Sequence, residues 1–141
     1  MIAAALAAAP AAAQQPPLPA VQLSAGMHLI HAELAADPGS RMQGLMYRKA
    51  LGPNAGMLFI FDEAATHCMW MKNTLIPLSV AFIDERGTIV NIADMQPQTE
   101  QSHCASKAVP FALEMTRGWF AERGIKPGAK LGGLEKFAAR R

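Results

Sequence analysis

The sequence predicts an α+β domain: a small, twisted, mainly antiparallel sheet curled into a partial barrel, with two short helices. Three observations predict it. Short apolar or alternating runs outnumber segments with helical spacing. The connections between them are mostly short and carry turn residues such as Asp84-Glu85-Arg86-Gly87 and Pro127-Gly128. The chain has 141 residues, enough for one hydrophobic core and too few for two.

The first 13 residues hold 9 alanines. Met1 to Ala9 resembles the apolar stretch of an export leader, and Ala11-Ala12-Ala13 before Gln14 has the small residues that signal peptidase accepts. Residues 1–13 are therefore expected to be a signal peptide, and the domain to be periplasmic or secreted. No Lys or Arg precedes the apolar run, which implies either a longer leader or a degenerate one. The bland alternative is a disordered Ala/Pro-rich terminus. Neither this run nor any later one is long enough to span a bilayer, so no transmembrane segment is expected in the mature chain.

Residues 14–25, Pro-rich and without periodicity, read as a linker before a single globular domain at 26–133. Met27 to Ala35 reads as a strand with Met27 and Leu29 on one face and Ile30, Ala32 and Leu34 on the other. Asp37-Pro38 starts a helix, Asp37 as its cap and Pro38 in its first turn. Along it Met42, Leu45 and Met46 are spaced to face a core. Gly56 to Phe61 is a buried strand ended by Asp62-Glu63, and His67 to Asn73 is a further extended piece. Ile76–Ile83 and Thr88–Ile92 form a hairpin turned at Gly87. Pro97 to Val109 is a polar loop, Phe111 to Met115 a strand, and Gly118 to Arg123 a short helix capped by Gly124. A last short strand lies at Lys130-Leu131, and residues 134–141, with Lys136, Arg140 and Arg141, read as a solvated basic tail.

Three blocks stand out together. They are Arg41-Met42-Gln43-Gly44-Leu45-Met46-Tyr47-Arg48, then Gly56-Met57-Leu58-Phe59, then Trp70-Met71-Lys72-Asn73-Thr74-Leu75-Ile76-Pro77-Leu78. In this order and spacing the chain resembles the domain of unknown function 192 family. The likeness continues through Ala81-Phe82-Ile83-Asp84, Leu113-Glu114 and Gly124-Ile125-Lys126-Pro127-Gly128, and covers roughly residues 27–132. The resemblance implies a small, often exported α+β barrel-like domain and no particular activity. The family usually carries Asp after Pro-Leu, where this chain has Ser79. That removes the best acid–base candidate and leaves Glu114 without an obvious partner.

On a helix continuing through Arg48, Arg41 and Arg48 point the same way within about 20°, and Gly44 between them admits a close approach at a helix cost of about 1 kcal/mol relative to Ala. Guanidinium groups suit carboxylates, phosphates or sugar hydroxyls. In an extended Trp70–Asn73 stretch, Trp70 and Lys72 share one face and Met71 and Asn73 the other. Arg41, Gly44, Arg48, Trp70, Met71, Lys72 and Asn73 thus form the candidate ligand site, for a small polar ligand, a saccharide included, or a protein partner. The structural alternative is that the arginines pair with Asp62, Asp84 or Glu114 and that Asn73 satisfies backbone at a strand end.

Other chemistries have weaker footing. Net charge is +2, from 13 basic and 11 acidic residues, and no basic stripe is interleaved with aromatics, so nucleic acid is not an expected partner. Cys68 and Cys104 would pair in an oxidising compartment, closing a loop with a stabilisation of about 3–4 kcal/mol in the chain-entropy model; two separate buried thiols are the alternative. His67, Met69 and Met71 on one strand face would suit Cu(I), and His67-Cys68 with His103-Cys104 suggests zinc, but the spacing matches no standard zinc pattern. No catalytic residue, metal ligand or cofactor is assigned, and no oligomeric state is implied. There is no nucleophile elbow, Cys-x-x-Cys or phosphate loop, which leaves a hydrolase or transferase in the same cleft, or copper or zinc handling, as the alternative functions.

Overall fold

The structure is a computed structural model that describes residues 3–5 and 14–138. Most of the expected leader, and Arg140 and Arg141 of the expected tail, lie outside the described residues. Among the described residues there are nine strands: β1 (Ala20–Ala25), β2 (His28–Ala35), β3 (Ala55–Ala65), β4 (Cys68–Met69), β5 (Leu78–Ile83), β6 (Ile89–Met95), β7 (His103–Cys104), β8 (Val109–Thr116) and β9 (Leu131–Gly132). Three short helices accompany them: α1 (Pro38–Gln43), α2 (Trp119–Glu122) and α3 (Glu135–Ala138).

Seven strands form one sheet in the order β6-β5-β8-β3-β2-β1-β9, and β4 pairs with β7 in a separate ribbon. Every pairing is antiparallel except β2 with β3, whose crossover carries α1. Beyond the sheet's ladders, Thr88 bridges to Lys130, and Leu131 N–H donates to the Gly87 carbonyl. These bonds draw the β5–β6 turn to the β9 edge and curl the sheet into a half-barrel. The fold is thus α+β with a partial barrel. Gly87 serves twice: its φ of 83° makes the turn, and a Cβ there would press on the Leu131 carbonyl.

Both faces of the sheet are covered, which explains why β5 is buried along its whole length and β8 from Val109 to Met115. Alternation sorts the side chains into two cores. Leu58, Ala81, Phe111, Leu113 and Met115 face a core closed by Trp119, Phe120, Leu131 and Phe137. Met57, Phe59, Val80, Phe82 and Ala112 face a second one, closed by Leu45 and Met71. Because one side of Glu114's strand carries Ala112, the strand's alternation aims Glu114 toward this second core.

Several boundaries differ from expectation. The second half of the expected linker, Ala20–Ala25, is β1, because Leu23 and Ala25 reach the first core while the strand pairs with β2. The expected tail begins with buried Leu134 and contains buried Phe137 on α3, so it closes the first core. β3 runs on through Asp62-Glu63 to Ala65, with a register shift against β8 after Ile60. The expected extended piece at 67–73 is paired only at Cys68–Met69. Asp37 caps α1 as expected, accepting from Ser40 N–H at 2.9 Å. The helix nonetheless ends at Gln43, where Gly44 takes φ 49°. Met42 is therefore 67% exposed, and only Leu45 of the expected stripe is fully buried.

Candidate functional site

A cleft of about 420 Å³ opens between α1 and the Cys68–Trp70 segment, over the second face of the sheet. Glu114, Thr74, Phe59 and Leu45 are its buried lining, and Met42 and Trp70 are exposed at its edge. Such a mix, mostly apolar with a few convergent polar groups, is typical of small-ligand sites.

Among the described residues Glu114 is the one carboxylate lining it. The side chain is 4% exposed and has no ion pair or hydrogen bond among the described residues. Burial pushes its carboxyl up to about 8, so at neutral pH it is predominantly a protonated acid, able to donate as well as accept. Its oxygens are not among the fully enclosed side-chain atoms that lack a partner, so the carboxyl is reached from the cleft rather than sealed in the core. Thr74, also in the lining, donates its hydroxyl to the Lys72 carbonyl at 3.1 Å.

The expected site residues separate into two groups. Arg41, Gly44 and Trp70 line the cleft; Arg48, Met71, Lys72 and Asn73 do not. Arg41 donates to the Ile60 carbonyl at 3.0 Å and pairs with Asp62 at 3.1 Å. Arg48 lies beyond the helix end and does not share a helical face with Arg41. It forms a two-pronged pair with Glu33 at 2.7 and 2.9 Å, leaving its Nε buried without a partner among the described residues. Burial pushes Glu33 up, but the hydrogen bond from Arg48, the Leu18 N–H and the Arg48 charge hold its carboxyl below the ordinary range. Gly44 ends α1, and a Cβ there would stand 3.4 Å from the Phe59 ring. Met71 is fully buried in the second core. Lys72 lies outside, its ammonium 5.3 Å from the centre of the Trp70 ring. Asn73 adopts φ 54°, and its carbonyl accepts from Tyr47 N–H at 2.9 Å, tying this segment to the end of α1.

Cys68 and Cys104 face each other across β4 and β7 and form a disulfide. Neither is then available as a zinc ligand. The imagined Cu(I) face is not assembled either: Met71 is in the core, and His67 stacks on Phe61 with Nε2 on the Glu63 carbonyl. Among the described residues no cluster of His, Cys, Asp or Glu could hold a metal ion.

Ser79 donates to Asp94 at 2.6 Å and accepts from Gly118 N–H at 3.0 Å, beside a smaller hollow that includes Lys126. Val80 lies opposite Glu114, whereas Ser79 lies opposite Met115 of the first core. Ser79 and Glu114 are thus on opposite faces of the sheet. A carboxylate at position 79 would not have partnered Glu114, which corrects the sequence-based expectation. The signal for Glu114 was nevertheless present: a lone acid in Val109–Met115, an otherwise apolar run.

No curated protein matches the chain. A crystal structure from Novosphingobium aromaticivorans DSM 12444, of a protein of unknown function, is similar at 34% identity and TM-score 0.80, covering 94% of this chain and 99% of that one. Another, from Sinorhizobium meliloti 1021 and described provisionally as a transcription regulator, shows 39% identity and TM-score 0.76, covering 81% of this chain and 92% of that one. The family model of DUF192, described as "Uncharacterized ACR", matches residues 21–133, and the chain belongs to that family.

Proposed function

We propose that this protein is an exported, non-catalytic domain that binds a small polar ligand in the cleft between α1 and Trp70, with Glu114 as the polar anchor. One observation carries the reading: a buried carboxyl with no hydrogen-bond partner among the described residues in the lining of an otherwise largely apolar cleft, where burial also raises its proton affinity. A ligand hydroxyl or carbonyl there would satisfy it, and an aromatic edge beside it suits a saccharide or another uncharged molecule with an apolar face. Export is supported by the Ala-rich start and by the Cys68–Cys104 disulfide, which persists in oxidising compartments. No helix among the described residues is long and apolar enough to cross a membrane.

A hydrolase or transferase finds less support. Glu114 has the raised affinity for protons of a general acid, but among the described residues no second carboxylate lines the cleft to act as base or nucleophile. The regulator description of one relative likewise finds little support. The longest helix among the described residues is the six-residue α1, too short to read a major groove.

The test is a thermal-shift screen of neutral saccharides, other uncharged polar molecules, carboxylates and phosphates, followed by calorimetry. The expected result is stabilisation by an uncharged class. Glu114→Met and Trp70→Ala should abolish it, and Glu114→Met should melt at or above the parent temperature because it removes a desolvated acid. Stabilisation only by anions, or an undiminished response in Glu114→Met, would refute the assignment.

A further inference from the structure

We propose that the Cys68–Cys104 disulfide is a redox-modification site for a dithiol reductant, and that its reduction releases the wall of the cleft that carries Trp70. Both cysteines are exposed, and Cys68 lines the cleft, so an attacking thiolate can reach its sulfur. The ribbon they join is minimal, with Cys68 opposite Cys104 and Met69 opposite His103 in a sheet of its own. Two further backbone bonds, Ala105 N–H to the His67 carbonyl and Met71 N–H to the Thr99 carbonyl, flank it. Within it the Nε2 of His103 is buried without a partner among the described residues, which weakens the packing that remains. The rest of the disulfide-closed loop is held differently. β5 is laddered to β6 on one side and to β8 on the other along its length, so the sheet does not depend on the bridge.

The exchange balances with the dithiol alone. One thiolate attacks Sγ of Cys68; the new S–S bond forms as the Cys68–Cys104 bond breaks, and Cys104 leaves as a thiolate that takes up a proton. The reductant's second thiolate then displaces Cys68, which is protonated in turn. Two electrons pass to the protein, and the reductant departs as a disulfide. With the bridge open, the ribbon keeps its few backbone bonds, the Asn91 side-chain bond to the Cys104 carbonyl and the packing of Met69, Met71 and Ala105 on the second core, while the exposed Trp70 between Met69 and Met71 loses the covalent tie beside it and loosens at the cleft edge. The consequence for ligand affinity rests on the cleft being a binding site; the loosening itself does not.

The experiment treats the native protein with dithiothreitol, alkylates the released thiols, and follows hydrogen exchange by peptide. Both cysteines should be alkylated without unfolding, and peptides covering 66–72 and 99–106 should exchange faster, roughly tenfold or more, while those of β5 and β8 stay protected. In a Trp119→Phe background, acrylamide quenching of Trp70 should rise after reduction. Cys68→Ser/Cys104→Ser should reproduce the exchange pattern without reductant. Three results would overturn the proposal: a bridge that resists dithiothreitol until global unfolding, loss of protection across the whole sheet, or unchanged protection of both ribbon peptides. None of these readouts needs a ligand. Ribbon release in a protein that binds nothing would count against the cleft reading alone.

Discussion

Glu114 is where burial, charge and site meet in one residue. Its proton affinity is raised from an ordinary value of 4.5 to about 8 in the folded protein. Between those values the native state holds more protons than the unfolded state, so stability falls as pH rises. The contribution is complete below about pH 4.5 and is lost progressively up to about pH 8, a change on the order of a few kcal/mol. Urea titrations from pH 5 to 9 should show this decline in the parent and lose it in Glu114→Gln. Glu33 and Asp37, both lowered, act in the opposite sense and at the acid end, so they do not mask the effect. The arginines divide by burial. Arg48 and Glu33 are 11% and 17% exposed, and Glu33→Ala should cost about 2–4 kcal/mol because it leaves a buried guanidinium unpaired. Asp62 is 78% exposed, and Asp62→Ala should cost at most about 0.5 kcal/mol by the same denaturation assay.

Among the elements, α1 shows how local chemistry shapes the cleft. Asp37 starts it and Gly44 stops it after a turn and a half, which turns Leu45 inward and leaves Met42 at the cleft edge. Gly44→Ala should cost about 1–2 kcal/mol, since an L side chain at φ 49° is strained and the new methyl meets Phe59. Asp37→Ala should lower stability through the lost cap, by less than Gly44→Ala does. Chemical denaturation checks both, and only Gly44→Ala is expected also to weaken ligand response, because Gly44 lines the cleft. The start of this helix was legible from Asp37-Pro38. Its end was harder, because Gly44 is tolerated inside helices and the Met42-Leu45-Met46 spacing continues the helical pattern past it. The Arg41–Arg48 pairing was inferred from that longer helix and fails with it.

At the scale of the molecule, two cores on opposite faces of one sheet make the chain ends structural. β1 and α3 are short and polar in part, yet Leu23, Leu134 and Phe137 complete the first core. Phe137→Ala should destabilise by about 3 kcal/mol, measured by urea denaturation, which a solvated tail would not show. The half-barrel also depends on contacts far apart in the chain, such as Thr88 with Lys130. No local pattern announces such a closure, because either residue alone is an ordinary surface side chain.

The sequence by itself determined the α+β class, the β5–β6 hairpin, the apolar strands β3, β5 and β8, the helix cap at Asp37 and the family. Those features are written in period, turn chemistry and motif order, which act over a few residues. Tertiary structure alone decided which face each strand residue occupies, and so that Glu114 faces the cleft while Ser79 faces the other core. It also decided that Arg48 finds Glu33, and that the Cys68–Cys104 pair expected from the sequence sits on a two-stranded ribbon beside Trp70. Side-chain partners and cleft walls come from strand register and crossover, where residues distant in sequence are brought together, and a one-residue slip reverses every face.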